Sequence, residues 1–142
     1  MMGLFLVIPW LLFPQTGADE YMVVTSIQSR FDEMTAWQLK QVYLGKLDRL
    51  NGVHLVAVEL SKDHPPRRAF DRFLFRDPAD LENYWLTHKL RGDANPPMTV
   101  GSWALVVSFV KRNPGFIGYI PMERARELDL EAHGLKQVRI EP

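Results

Sequence analysis

The chain has 142 residues, 46% hydrophobic and 24% charged, the composition of one ordinary globular domain, which excludes a disordered or fibrous chain. Seventeen Lys plus Arg balance seventeen Asp plus Glu, so no net field draws it to nucleic acid or anionic lipid. With no cysteine it has no disulfide framework, zinc-thiolate site, iron-sulfur cluster or thiol nucleophile.

Leu4 to Phe13 (LFLVIPWLLF) is uncharged and apolar but shorter than the roughly twenty residues a membrane-spanning helix needs. Thr16, Gly17 and Ala18 follow as a small-residue cleavage triplet before Asp19 and Glu20, so residues 1–18 read as a Sec-type signal peptide, although Met1-Met2-Gly3 supplies no Lys or Arg. The expectation is export to the periplasm, with residues 19–142 as the mature domain.

Tyr21 to Thr25 is a β-branched apolar run and predicts a buried strand. After a polar link over Ser26 to Glu33, Thr35 and Gln38 form a capping box, Met34 staples onto Leu39, and Gly45 ends a helix whose Leu39, Val42 and Tyr43 face inward. Val53 to Leu60 (VHLVAVEL) is nearly continuously apolar, as a strand covered on both faces must be, which points to an α/β architecture. Asp63-His64-Pro65-Pro66 opens a second helix, Pro66 to Phe75, burying Ala69, Phe70, Phe73 and Leu74 and leaving Arg68, Arg72 and Arg76 as an outer stripe.

Asp77 caps a third helix with Pro78 at its first position, and Leu81, Tyr84, Trp85 and His88 recur at helical spacing to about Leu90. Arg91 to Pro97 is a loop by composition. Gly101-Ser102 then caps a fourth helix with Trp103, Val106, Val107 and Val110 as its buried stripe, stopped by Asn113-Pro114-Gly115. Phe116 to Ile120 predicts a short buried strand, Pro121 to Leu128 a helical turn, and Leu135 to Ile140 a last strand. Trp37, Trp85 and Trp103 are assigned to the core.

Val42-Tyr43-Leu44-Gly45-Lys46, the strand Val56 to Leu60, Arg68-Ala69-Phe70, Tyr84-Trp85, Pro96-Pro97 before Val100-Gly101-Ser102, and Asn113 to Ile120 (NPGFIGYI) occur in an order that resembles the phosphate ABC transporter substrate-binding family. The resemblance runs from about Val23 to Ile120. It implies a type 2 periplasmic binding-protein fold: a mixed sheet flanked by helices, here with length for a single lobe of a receptor that closes two. Where the two-lobed receptors carry a Ser-Gly-Thr loop at a helix start, this chain has His64-Pro65-Pro66, which removes two hydroxyls and two backbone donors.

The second helix start still gathers Ser61, Lys62, His64, Arg67 and Arg68 at a positive dipole end, the pattern of an anion site. The alternative is that Asp63 simply caps the helix while the cations are solvated. Gly101 and Ser102 would serve the same anion if both helix starts share the strand carboxyl ends, and otherwise form an ordinary cap. Thr25 and Ser26, at the end of the first strand, line that rim or merely terminate the strand. His54, His64, His88 and His133 lack the spacing that puts two metal ligands on one helical face, and no nucleophile elbow or catalytic carboxylate pair occurs, so no metal, cofactor or catalytic residue is implied.

The reading is a secreted, non-enzymatic module that binds phosphate or another small oxyanion. The alternative is a periplasmic interaction or sensory domain that has lost its ligand and contacts an inner-membrane permease, a sensor protein or a second copy of itself. Nucleic acid is not an expected partner.

Overall fold

The computed structural model describes residues 20–142, so the signal-peptide expectation for residues 1–18 lies outside the described residues. Tyr21–Ser26 forms β1, and its Val24, Thr25 and Ser26 are almost wholly buried. The expected polar link from Ser26 to Glu33 leads directly into a short strand, β2 (Glu33–Thr35), held by the last residues of the chain. Thr35 then caps α1 (Ala36–Tyr43): its hydroxyl accepts from Gln38 N at 3.0 Å and the Gln38 side chain accepts from Thr35 N at 2.9 Å.

Val53 to Leu60 is two strands. Asn51 and Gly52 both have positive φ, 52° and 77°, the signature of a type I′ hairpin. They join β3 (Arg49–Leu50) to β4 (Val53–His54), and the central strand β5 is Val56–Leu60. The second helix, α2, spans Pro65–Leu74 and is capped by His64, not Asp63, while Arg76 falls beyond its end. Next come α3 (Pro78–Arg91, capped by Asp77) and a strand inside the expected loop-to-cap region, β6 (Met98–Val100). Then follow α4 (Trp103–Arg112, capped by Ser102), β7 (Phe116–Pro121) and α5 (Met122–Glu127). The last expected strand divides into β8 (Leu135–Gln137) and β9 (Arg139–Glu141), because Val138 N bonds Val23 O on β1 while Arg139 N bonds Asp32 O next to β2.

The main sheet has the order β6-β5-β7-β1-β8. β5, β6 and β7 run parallel, and β1 is antiparallel to both β7 and β8. β7 shows how both faces are covered. Tyr119 points to one face, where its ring stacks on Phe70 of α2 at 4.4 Å, with Tyr43 of α1 at 5.9 Å. Its neighbour Gly118 points to the other face, where a Cβ would lie 2.6 Å from Val106 Cγ1 and 3.2 Å from Val110 Cγ2 of α4. The missing side chain is what lets α4 sit against the strand.

Tyr43 fills the middle of the first layer and its hydroxyl donates to Val58 O at 2.9 Å, so a fully buried phenol leaves no polar atom unpaired. Trp37, expected in the core, is 66% exposed because Leu39, Val42 and Tyr43 take the buried side of α1. Trp85 and Trp103 are half-buried.

Candidate functional site

β5 and β6 end side by side, with Leu60 opposite Val100 and Ser61 N donating to Val100 O at 3.0 Å. The helices that follow them, α2 and α4, therefore start from the same rim, at the strand carboxyl ends. His64 ties the two starts together: its Nε2 lies 3.0 Å from Gly101 O. A carbonyl only accepts, so Nε2 carries the proton. Sequence reasoning made this shared rim conditional, and the parallel β5-β6 pairing provides it.

The donors at the two starts differ. At α2, Pro65 and Pro66 have no N–H, and the next two amides, of Arg67 and Arg68, already bond His64 O at 3.0 and 3.2 Å. At α4, Ser102 caps with its hydroxyl accepting from Leu105 N at 3.2 Å, and the N–H groups of Trp103 and Ala104 have no intrahelical carbonyl to meet. The open backbone donors thus belong to α4. Around them stand exposed Lys62, half-buried Ser61 and exposed Arg68, whose Nη1 donates to Asp63 O at 3.1 Å. Ser61 donates its hydroxyl to Asp63 Oδ1 at 2.7 Å. That hydrogen bond is the main reason the exposed Asp63 carboxyl titrates below its usual range.

Arg67 is placed differently from both sequence readings, being neither solvated nor open to a ligand. It is 7% exposed, with Nε on the Asp71 carboxylate at 2.8 and 3.0 Å, Nη1 on Leu60 O at 2.7 Å and on Glu59 Oε1 at 3.2 Å. Thr99 Oγ1 donates to the same Glu59 oxygen at 2.9 Å. Burial pulls the guanidinium pKa down, but Glu59 and Asp71 outweigh it and raise it. Burial also raises the Glu59 pKa, against the opposing pull of Arg67. Two carboxylates on one buried arginine leave no positive charge to spare for a ligand. Sequence reasoning missed this cluster, although Glu59 is the lone charge of an apolar strand and Arg67 and Asp71 are spaced four apart on a helix.

Thr25 and Ser26 lie at the opposite rim. β1 is antiparallel to β7, with Tyr21 opposite Pro121 and Thr25 opposite Ile117. The end of β1 therefore meets the start of β7, away from Ser61 and Gly101. Both hydroxyls serve the fold: Thr25 Oγ1 donates to Phe116 O and bonds Ser29 Oγ, each at 2.7 Å, and Ser26 Oγ accepts from Gln28 N. The outer arginine stripe is partly engaged, with Arg72 Nη2 3.7 Å from Glu20 Oε1. His88, at helical spacing from Tyr84, holds Asp93 through Nδ1 at 2.8 Å beside the Tyr84 ring.

No family model matches the chain, and no curated protein matches it. Solved structures do. An ABC-type phosphate transport receptor from Vibrio cholerae superposes with a TM-score of 0.63 at 16% identity, over 86% of this chain and 46% of that one. PstS from Borrelia burgdorferi gives 0.65 at 16%, over 86% and 47%. A phosphate ABC transporter substrate-binding protein from Clostridium perfringens, solved with bound phosphate, gives 0.64 at 18%, over 86% and 45%. The fold is that of a single lobe of a periplasmic phosphate-binding protein. This chain spans less than half the length of each of those receptors, and the sequence-level expectation of a one-lobe mixed sheet flanked by helices agrees with that.

A cavity of about 680 Å³ lies elsewhere, between α1, α2 and the start of β1, floored by Tyr21, Leu39, Ala69 and Phe73. Glu20 and Pro142, the two ends of the described chain, both border it. None of the residues singled out from the sequence as anion ligands lines it. No helix among the described residues is long and apolar enough to cross a membrane.

Proposed function

We propose that this chain is an exported, non-enzymatic binding lobe that holds phosphate or a similar small oxyanion where α2 and α4 start together. The observation that carries the reading is the His64 to Gly101 hydrogen bond, which sets the free N–H end of α4 beside the cationic end of α2. In this arrangement the Trp103 and Ala104 amides and the Ser102 hydroxyl meet the anion. Lys62 and Arg68 supply opposing charge, and Ser61, His64 and Gly101 shape the rim. Arg67 braces α2 from beneath through Glu59 and Asp71, in place of the neutralising role its position suggests in sequence. The solved receptors of similar fold are phosphate receptors, which supports an oxyanion as the ligand class.

The test is the thermal midpoint of the purified protein with phosphate, sulfate, molybdate, nitrate and a dicarboxylate. A ligand that binds only the folded state at one hundred times its Kd stabilises it by about 2.7 kcal/mol. One oxyanion should raise the midpoint, and Arg68→Ala should reduce that rise. No rise with any anion at millimolar concentration overturns the reading.

A second reading, an interaction or sensory domain that has given up its ligand, is favoured by one specific observation. The α2 start offers no backbone donor, because two prolines and two internally bonded amides occupy it. Such a domain would work through a permease, a sensor protein or a second copy. A stable complex formed by protein with no anion response would support it.

A further inference from the structure

We propose that, before processing, the apolar run Leu4 to Phe13 docks into the cavity of about 680 Å³ beside β1, and that removal of residues 1–18 opens this groove. The groove exists because two strands part. β8 accompanies β1 up to Gln137 opposite Val24, and one more bond follows, from Val138 N to Val23 O at 2.9 Å. Arg139 N then turns to Asp32 O, and the chain continues as β9 against β2. The β1-β8 register carried on would set Ile140 opposite Tyr21; the two form no strand pair, and both line the cavity. The reciprocal bond from Val23 N to Val138 O is not made either, so among the described residues the Val23 N–H lacks an acceptor, on a residue only 5% exposed. A buried amide without a partner is costly. An open strand edge on the wall of an apolar groove suits an apolar segment whose own backbone supplies the missing carbonyl.

The position and chemistry of the chain that precedes β1 select the occupant. Glu20 borders the groove, and the chain enters β1 directly from it. The six residues 14–19 between Phe13 and Glu20 span at most about 20 Å, so they keep the apolar run within reach of the groove. Leu4 to Phe13 is uncharged, and the floor it would meet is Tyr21, Leu39, Ala69 and Phe73. The charged lining residues, Glu20, Arg72 and Glu141, are exposed and of both signs, as is the neighbourhood they share with Lys40, whose Nζ lies 5.2 Å from the Phe73 ring centroid. Charge therefore calls for no ionic partner there. A segment tethered this closely acts at an effective concentration on the order of millimolar, which a free competitor must exceed. The proposal stands independently of anion binding, since none of the candidate anion ligands lines the groove.

The test uses the full chain with residues 1–18 retained. Amide hydrogen exchange at Val23 should be slow, and Val7→Asp with Leu11→Asp should speed it on the order of tenfold or more, with exchange at Val58 and far-UV circular dichroism unchanged. The chain has no cysteine, so introduced pairs give a second measurement. Leu11→Cys with Ala36→Cys, on the groove wall, should close an intramolecular disulfide on the order of tenfold faster than Leu11→Cys with Thr87→Cys on the exposed side of α3. Val23 exchange indifferent to the two aspartates overturns the proposal, as do equal closure rates for the two cysteine pairs. Disulfides formed only between chains overturn it as well, and make a second copy the occupant.

Discussion

At the amino-end rim of the sheet, Thr25, Ser26 and Ser29 are at least nine-tenths buried, and their hydroxyls are engaged by Phe116 O, Gly115 N, Gln28 N and one another. At the carboxyl-end rim, Lys62, Asp63, Arg68 and Gly101 are exposed. Residues of similar chemistry therefore serve stability at one end and remain accessible at the other, and the packing around each rim decides which. Arg67 and Arg68 compress the same contrast into adjacent positions: one is 7% exposed and held by two carboxylates, the other reaches only backbone carbonyls at the surface. Along the sequence only the Asp71 four residues after Arg67, where Arg68 has Arg72, hints at the difference; burial against Glu59 decides it.

The largest effect that would test this contrast is Arg67→Ala. It strands Glu59 as a buried carboxylate without its cation and should lower stability in urea denaturation by about 3 to 5 kcal/mol. A loss comparable to that of Arg68→Ala would erase the distinction.

Alkaline titration comes next. Burial raises the pKa of Tyr21 to about 12, and it also raises those of Tyr43, Tyr84 and Tyr119, the remaining tyrosines of the chain. The unfolded chain releases these protons near pH 10 while the folded chain keeps them. The stabilisation is therefore complete below pH 10 and is lost as pH rises, across pH 10 to 12 for Tyr21. Tyrosinate absorbance should show no group titrating at 10 in the native protein, and the deeply buried Tyr43 and Tyr119 should ionise only as it unfolds.

Thr25→Val removes the donor to Phe116 O and a partner of Ser29 while keeping the shape. It should cost about 1 to 3 kcal/mol and leave any anion response untouched. The smallest effect expected on stability is that of Arg68→Ala, within about 0.5 kcal/mol by the same denaturation assay, so that its influence falls on the ligand alone.

Much of the fold is legible along the chain. The capping box at Thr35 and Gln38, the caps at Asp77 and Ser102, and the apolar stripes of α1, α2 and α4 depend on residues three or four apart. The Asn51-Gly52 turn follows the same local logic and joins β3 to β4, whereas the Val53 to Leu60 run divides at Leu55, whose N–H turns aside to Asp48 O. The candidate site was only half legible. Ser61, His64, Gly101 and Ser102 do gather, but the sense of β1 carries Thr25 and Ser26 to the other rim. The Glu59, Arg67 and Thr99 cluster needs β5, α2 and β6 to be adjacent.

By itself the sequence determined an α/β domain with its helices started by Thr35, Asp77 and Ser102 and a core of Val, Leu, Tyr and Phe, because caps and amphipathic periodicity are short-range hydrogen bonding and burial. Only the tertiary structure decided which arginine is buried and which rim is open. Those outcomes rest on contacts between residues tens of positions apart, such as Ser61 with Val100 and Thr25 with Phe116, and strand direction and sheet order create them.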